Sequence, residues 1–546
     1  MSLSLSAEQK ELLKIFRIEE QYVIPSYQRP YSWEFDQCFQ LYNDLLAAFI
    51  AEQDYFIGNI IIAKAENNKD SLDLVDGQQR LITLLLLFKV LYVLQPEMKV
   101  LQQLLEKQDW EGTNTVSRIK SNVFEANDEE AITNILKYTL DKLQIRLNAV
   151  LDKNGKVTER KCNSRFEANT LHFLNWIQYY FKDKSADLKE FIHFLLKQVY
   201  LLPIELSGPT QDESNEKALV IFETINNRGV NLEDADIFKA RLYNKAKNVK
   251  EEKIFIEQWI EFKNNCQGLN LDIDDIFRFY SHIIRGKEGI TSSETNLRVF
   301  FTNEKFSPFE LKKYKDVLND LFRIIEILEA LNQEKVKQTE AAKWLQVIDA
   351  YTNQYPKYAI VNYLFVNNLV FDEKFLNFLK SLIRYVYYQG STSTVKFEIY
   401  NIIKQTSSHL EIDSYYYEDI SPDYFNYLGR LKKGFALLAY YISSEIVLPT
   451  YNTDKIITLK DKKVLSKDWQ DIDLNDVIDS LGNILILDIP KRYIPFDKKP
   501  GYFNDSSIKE IRELFNSGDF TYSDYKSRDT KLKERLVSFF KKDTYE

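Results

Sequence analysis

The sequence predicts an α+β protein that is mainly helical, on three observations. Glycine (15) and proline (12) are scarce in 546 residues, while tyrosine (34) and phenylalanine (36) are abundant. That balance favours long helices around aromatic cores and excludes collagen-like and low-complexity disordered chains. Residues 1–95 read as strand, turn, strand, tight loop and helix, and residues 250–430 carry helical spacing of Tyr, Phe and Leu almost throughout. At 45% hydrophobic and 28% charged the composition is that of a globular chain. Domains of roughly 100–200 residues would make about three or four of it.

In chain order, residues 7–20 read as a short helix. Residues 22–25 are extended, because Pro25 biases its predecessor towards β or polyproline. Phe39, Tyr42, Leu45, Leu46 and Phe49 give 35–51 a helical face. Residues 55–63 (YFIGNIIIA) are rich in β-formers and end at a polar turn over 66–70; a second strand covers 72–75. The loop 76–80 (DGQQR) opens an apolar helix from 81 to 94, which contains Lys89 and is too short to span a bilayer. From 96 to 195 the pattern is helical, broken by a turn at 152–156. A strand follows at 198–206 (QVYLLPIEL), then helices over 215–224 and 232–244. Residues 431–546 mix helix with β signals at 446–448 and 484–487.

Several classes of function are disfavoured. Cys38, Cys162 and Cys266 are far apart and odd in number, so no disulfide framework or CxxC knuckle is expected, and a reducing, cytoplasmic setting fits. No secretory signal is read at the N-terminus. The formal charge of −9 argues against a non-specific nucleic-acid binder, although residues 431–546 are nearly balanced and leave room for a local basic face. The sequence holds no GxxxxGK[ST], GxGxxG or GxSxG motif. His172, His193, His282 and His409 lack metal-ligand spacing, and His193, within FIHFL, is expected in or beside the core.

Three segments carry chemistry. In the first, a strand delivers Asp76 and a helix leaves after Gly77, Gln78, Gln79 and Arg80. Gly77 lets the backbone turn and approach a ligand. The N–H groups that follow lie at a helix N-terminus, which favours phosphate. Arg80 adds a planar fork for phosphate oxygens, and Asp76 is placed to hold Mg²⁺ or a water. The same residues also make a glycine turn in which Asp and Arg cap the helix or pair with each other. The second segment is 24–33 (IPSYQRPYSW), where rings and two prolines frame Gln28 and Arg29. It reads as a clamp for a base and a phosphate, or as an aromatic segment packed on the core. The third is 221–232 (IFETINNRGVNL) followed by Asp236 and Lys239. It reads as ligand-binding or as a helix–turn–helix joint closed by a salt bridge.

Together and in this order, these motifs resemble the large bacterial family typified by the GmrS half of the GmrSD modification-dependent restriction enzymes. The family pattern runs IPxYQRxYxW, a (Y/F)(F/L)GxI strand, DGQQRLxTL and FExxNxRGxxLxxxDxxK; here these fall at 24–33, 55–60, 76–84 and 222–239. The resemblance implies a ParB-like α/β nucleotide-binding domain over 1–245 with a helical insertion at about 96–195. A helical domain over 246–430 and an HNH-nuclease-like domain over 431–546, similar to the GmrD partner, follow. It implies that Asp76, Gln79 and Arg80 are catalytic, with Asp76 on Mg²⁺. Gln28, Arg29, Gly77, Gln78, Asn226, Arg228, Asp236 and Lys239 would bind the nucleotide.

The C-terminal motifs depart from the family pattern. The residues matching its (I/L)EH(I/V)xPQ, GNLxLL and sNxxFxxKxxxY motifs lie at 444–450, 480–487 and 492–502. The histidine falls on Ile446, after Glu445, and the later asparagine on Tyr493, while Asn483 is retained. An HNH nuclease needs that histidine to deprotonate water and polar groups to hold its metal; isoleucine does neither. The expectation is therefore an NTP-hydrolysing, DNA-sensing defence protein of the modification-dependent restriction type, with a degenerate nuclease half. Cleavage would then be passed to a partner nuclease, or phage would be blocked by binding. Two alternatives stand beside it: an active Mg²⁺-dependent endonuclease on modified DNA using Glu445, Asn483, Asp488 and Asp497, and a non-catalytic, nucleotide-switched DNA-binding module.

Overall fold

The computed structural model describes residues 4–542, except 66–69, 109–114, 124–126, 183, 212–213, 216, 219–233, 303–304, 391, 491, 493 and 516–518. The chain is mainly helical with a mixed sheet, and it divides into two compact units, 1–256 and 257–546.

The N-terminal unit is built on a seven-stranded sheet. In chain order its strands are β1 (Ser4–Ala7), β2 (Lys10–Glu11), β3 (Gln21–Ile24), β4 (Tyr55–Ala65), β5 (Ser71–Asp76), β6 (Ile119–Ser121) and β7 (Val199–Gly208). Across the sheet the order is β1-β7-β4-β5-β3-β6, with β2 also on β7. β4 is central because its isoleucine run suits burial on both faces. It pairs parallel with β7 and antiparallel with β5. Alternate residues serve opposite faces: Ile60, Ile62, Leu72 and Leu74 join the large core, while Ile61, Ala63 and Val75 join a smaller one. β3 runs parallel to β5, so both chains emerge at the same edge of the sheet, where the segment after Ile24 meets the loop after Asp76.

The helices of the large core are α1 (Leu12–Phe16), α2 (Phe35–Ile50), α3 (Gln78–Leu94), α4 (Lys99–Leu105), α5 (Asp128–Leu136), α6 (Leu140–Val150), α7 (Arg165–Tyr180) and α8 (Ser185–Lys197). α3 is apolar on every side and buried almost throughout, as a helix lying inside a core must be. Its Lys89 is tolerated because Nζ donates to the Leu136 carbonyl at 2.7 Å; burial pushes the amine down to about 8.

Between α6 and α7, Arg146 grips the Glu167 carboxylate with two nitrogens, at 2.7 and 2.9 Å. Burial pushes this carboxyl up, but Arg146 and the Asn163 N–H more than offset it and hold it below the usual range. A carboxyl depressed in the folded state contributes stability above its unfolded value and loses it as pH falls through the folded one. The N-terminal unit should therefore weaken below its ordinary value of 4.5. Urea unfolding from pH 7 to pH 3 should show this slope flattened in Glu167→Gln.

Three expectations are corrected. Residues 7–20 are not one helix: Ser4–Ala7 and Lys10–Glu11 add edge pairing to β7, leaving only Leu12–Phe16 helical. The insertion over 96–195 is not purely helical. Ile119–Ser121 extends the sheet beside β3, and Glu106–Gln108 pairs with Thr115–Ser117. Strands of two to four residues are too short for a period-2 pattern to stand out. His193 is exposed on α8 although its sequence neighbours are buried.

The C-terminal unit is helical through Ile273–Lys287, Tyr314–Glu334, Glu340–Asp349, Tyr355–Val366, Glu373–Gln389, Thr392–Ser407 and Lys432–Ser443. Capping boxes start Ile273–Lys287 (Asp272 with Asp275) and the closing helix Tyr522–Phe540 (Thr521 with Asp524). Ile484–Leu487 is the expected strand, but its partner is Asn452–Lys455. Residues 446–448 are irregular: Gln338 bonds both backbone groups of Val447, and Leu448 bonds Tyr441 and Gln346. Side chains there take the backbone groups a strand would have paired. Among the described residues no helix is long and apolar enough to cross a membrane.

Candidate functional site

The site is the edge of the N-terminal sheet where β5 ends. Gly77 forms the whole connection from β5 to α3, at φ +89°. An L side chain rarely adopts that backbone, and a Cβ there would lie 2.5 Å from Ile60 Cγ2. Asp76 and Arg80 flank the turn, with Nη2 3.6 Å from Oδ2 and each side chain about a quarter exposed (25% and 24%). Burial raises the Asp76 carboxyl above its usual range, opposed by Arg80, the Gly77 N–H and Arg29. Gly58 makes room for Arg80: β4 bulges there, at φ +135°, and a Cβ would meet the Arg80 guanidinium at 2.5 Å.

The segment 24–33 is held against this loop by the two glutamines. Gln28 Nε2 donates to the Val75 carbonyl at 2.9 Å. Gln78 Nε2 donates to Gln28 Oε1 at 3.3 Å and to the Arg29 carbonyl at 3.1 Å. Gln79 Oε1 accepts the Ser32 N–H at 2.8 Å and the Trp33 N–H at 3.3 Å, and its Nε2 donates to the Pro30 carbonyl at 3.1 Å. Both glutamines are buried. Their amides are engaged by backbone, which fixes where Arg29 leaves the chain. Among the described residues the Arg29 guanidinium makes no hydrogen bond.

A deeper set of contacts locks the segment. Tyr31 OH is 2.8 Å from Thr83 Oγ1 and accepts from Asn169 at 3.0 Å, while the Tyr31 N–H donates to Asp128 at 2.9 Å. On the other face of the sheet lies the helix Asp234–Asn248. Its Lys239, 2% exposed, donates to the Gln28 carbonyl at 3.3 Å, and Tyr243 packs on Tyr27 at 5.7 Å between ring centres. The structure thus brings Gln28, Arg29, Asp76, Gly77, Gln78, Gln79, Arg80 and Lys239 to one edge. Asp236 lies in the first turn of the Lys239 helix. Asn226 and Arg228 fall outside the described residues.

Residues 10–243 match the family described as GmrSD restriction endonuclease, N-terminal domain. Over these residues the N-terminal unit is of the GmrSD type. The match takes in all the motifs of this edge, and no curated protein matches the chain. In this GmrSD-type unit, reading from sequence missed Asn169, Thr83 and Asp128 as anchors of Tyr31. Nothing in the local pattern ties these helix residues to Tyr31, which lies 52 to 138 positions away. Gly58 was visible as the glycine of the (Y/F)(F/L)GxI strand, though not its service to Arg80.

In the C-terminal unit, Glu445 and Ile446 are exposed, Ile446 by 53%. Tyr493 lies outside the described residues. Asn483 is fully buried: Oδ1 accepts from Ile457 N–H at 2.8 Å, and Nδ2 donates to the Ile457 and Ile478 carbonyls at 2.9 and 3.1 Å. Asp488 accepts from Ser506 and from the Ser507 N–H. Lys499 Nζ donates to the Lys455 and Ile456 carbonyls, both at 2.8 Å. Among the described residues no three His, Cys, Asp or Glu gather as a metal site. Asn483→Ala would strand three backbone groups, two of them buried, at about 2–4 kcal/mol. Denaturant unfolding of the full chain should register that loss in the C-terminal unit.

Proposed function

We propose that the GmrSD-type unit binds and hydrolyses a nucleoside triphosphate with Mg²⁺, in a restriction system directed at modified DNA. One observation carries the reading: Asp76 and Arg80 flank a helix N-terminus at the carboxyl end of a strand, with Arg29 held alongside. The first N–H groups of a helix have no intrahelical partner and favour phosphate. Arg80 and Arg29 supply the fork donors for its oxygens, while Gln78, Gln79 and Lys239 act by holding the backbone of 28–33. DNA as a partner, and restriction as the setting, come from the printed name of the family.

The residues fit a nucleotide-borne Mg²⁺ better than a protein cage. Mg²⁺ commonly takes one or two carboxylates and completes its shell with water and phosphate oxygens, and Asp76 provides one. When bound, the ion would neutralise phosphate charge. Asp76 would then be ionised, against the effect of its burial. The C-terminal unit is read as a nuclease-like domain that has lost its chemistry. Ile446 supports this, as does the Asn483 amide, whose bonds leave it fastening the fold.

The test is phosphate release from ATP, GTP, CTP and UTP with Mg²⁺, with and without modified phage DNA. Release is expected with at least one nucleotide and should fall to background in Asp76→Ala and Arg80→Ala. Saturable nucleotide binding without release would replace hydrolysis by a switch. DNA nicking by the full chain with Mg²⁺ or Mn²⁺ would overturn the reading of the C-terminal unit.

A further inference from the structure

We propose that the C-terminal unit holds a binding site for a small amphipathic anion, an apolar body with a carboxylate-like head. The site is a cavity of about 300 Å³ between the helices Ile273–Lys287, Tyr314–Glu334, Glu340–Asp349 and Tyr355–Val366. It uses no residue of the nucleotide site. Its volume is at the lower end of small-molecule pockets.

The floor is apolar and fixed. Phe279, Leu345, Ile348 and Tyr358 are buried around it. Phe279 meets Tyr358 edge to face at 5.1 Å, and Tyr358 stacks on the fully buried His282 at 4.1 Å. A wall backed by stacked rings does not collapse to fill the space, so the cavity is a lasting feature of the packing.

The rim is charged. Asp349 takes Lys335 on one oxygen at 2.6 Å and Lys357 on the other at 3.0 Å. One carboxylate thus faces two ammonium groups, and each ammonium has three N–H donors. Each lysine therefore keeps N–H donors beyond its bond to Asp349. Asp275, the second carboxylate of the lining, accepts the Asp272 N–H at a helix start, so lysine donors, and not a net charge, are what the rim offers an anion. An apolar floor below two lysine heads suits a ligand of complementary build: the hydrocarbon enters for burial and the anionic head takes the lysine N–H donors that Asp349 leaves unused.

Octanoate and 1-octanol, titrated calorimetrically into the full chain, are the probes. Octanoate is expected to bind saturably at one site per chain, and 1-octanol at least tenfold more weakly. Lys335→Met with Lys357→Met should erase that difference. Leu331→Phe, which fills the cavity, should weaken octanoate at least tenfold with the circular dichroism melt unchanged. Absence of saturable octanoate binding, equal affinity for the alcohol, or an unchanged preference in the lysine variant would overturn the proposal. If Leu331→Phe unfolds the unit, the partly exposed lysine pair still decides.

Discussion

Gly77→Ala is expected to destabilise the N-terminal unit by about 3 kcal/mol and to abolish nucleotide binding. Two costs combine. A non-glycine residue in the left-handed region costs roughly 1–2 kcal/mol. The new Cβ would also lie 2.5 Å from Ile60 Cγ2 and 3.3 Å from Ile60 Cα. Ile60 is fully buried in β4, the central strand, so its backbone cannot retreat without moving the sheet. Relief must come from the loop, and any movement of the loop displaces Asp76 and Arg80 together. Urea unfolding of the full chain gives the stability, and nucleotide titration of the folded variant gives the binding. A variant with native stability and native affinity would refute the account of this turn.

Gln79→Leu should cost about 2–4 kcal/mol, since it removes the partner of the Ser32 and Trp33 N–H groups and of the Pro30 carbonyl and puts an apolar side chain against them. Gln79→Glu keeps the acceptor and loses the donor, so it should fall between wild type and leucine. The consequence is local as well as global. The segment 28–33 loses its tie to α3, and Arg29 loses its fixed departure point. Limited proteolysis should find new cleavage within 24–33, at denaturant concentrations where the rest of the unit is intact. If Gln79→Leu stops phosphate release while leaving stability and proteolysis untouched, then Gln79 touches the nucleotide and is not a positioning residue.

The fold was legible where residues speak locally. The isoleucine run of β4, the strand ending at Asp76 and the apolar helix after Gly77 follow from periodicity and from one glycine between two patterns. The edge strands Lys10–Glu11 and Ile119–Ser121 were not legible, because their identity rests on finding β7 and β3 far away in sequence. The same distinction governs the site. Asp76, Gly77 and Arg80 announce themselves within five residues. The engagement of Gln78 and Gln79 with the backbone of 29–33, and of Asn169 with Tyr31, is a property of the assembled core. In the C-terminal unit, 446–448 has β-forming side chains, yet Gln338 and Tyr441 take the hydrogen bonds a partner strand would have made.

The parallel pairing of β4 with β7 has a consequence for the birth of the protein. Tyr55 is matched with Val199 and Ala65 with Gly208, so the whole insertion must leave the ribosome before the central strand finds its second neighbour. At roughly 5–20 residues per second of synthesis this is a wait on the order of ten seconds. Closure of so long a loop also makes the pairing slow once the chain is complete. Meanwhile Ile60, Ile61 and Ile62 line an unpaired strand edge, the kind of surface that recruits other chains. Yield in the cell should therefore depend on chaperones that hold nascent chains, even though the finished strand lies among the most deeply buried parts of the unit.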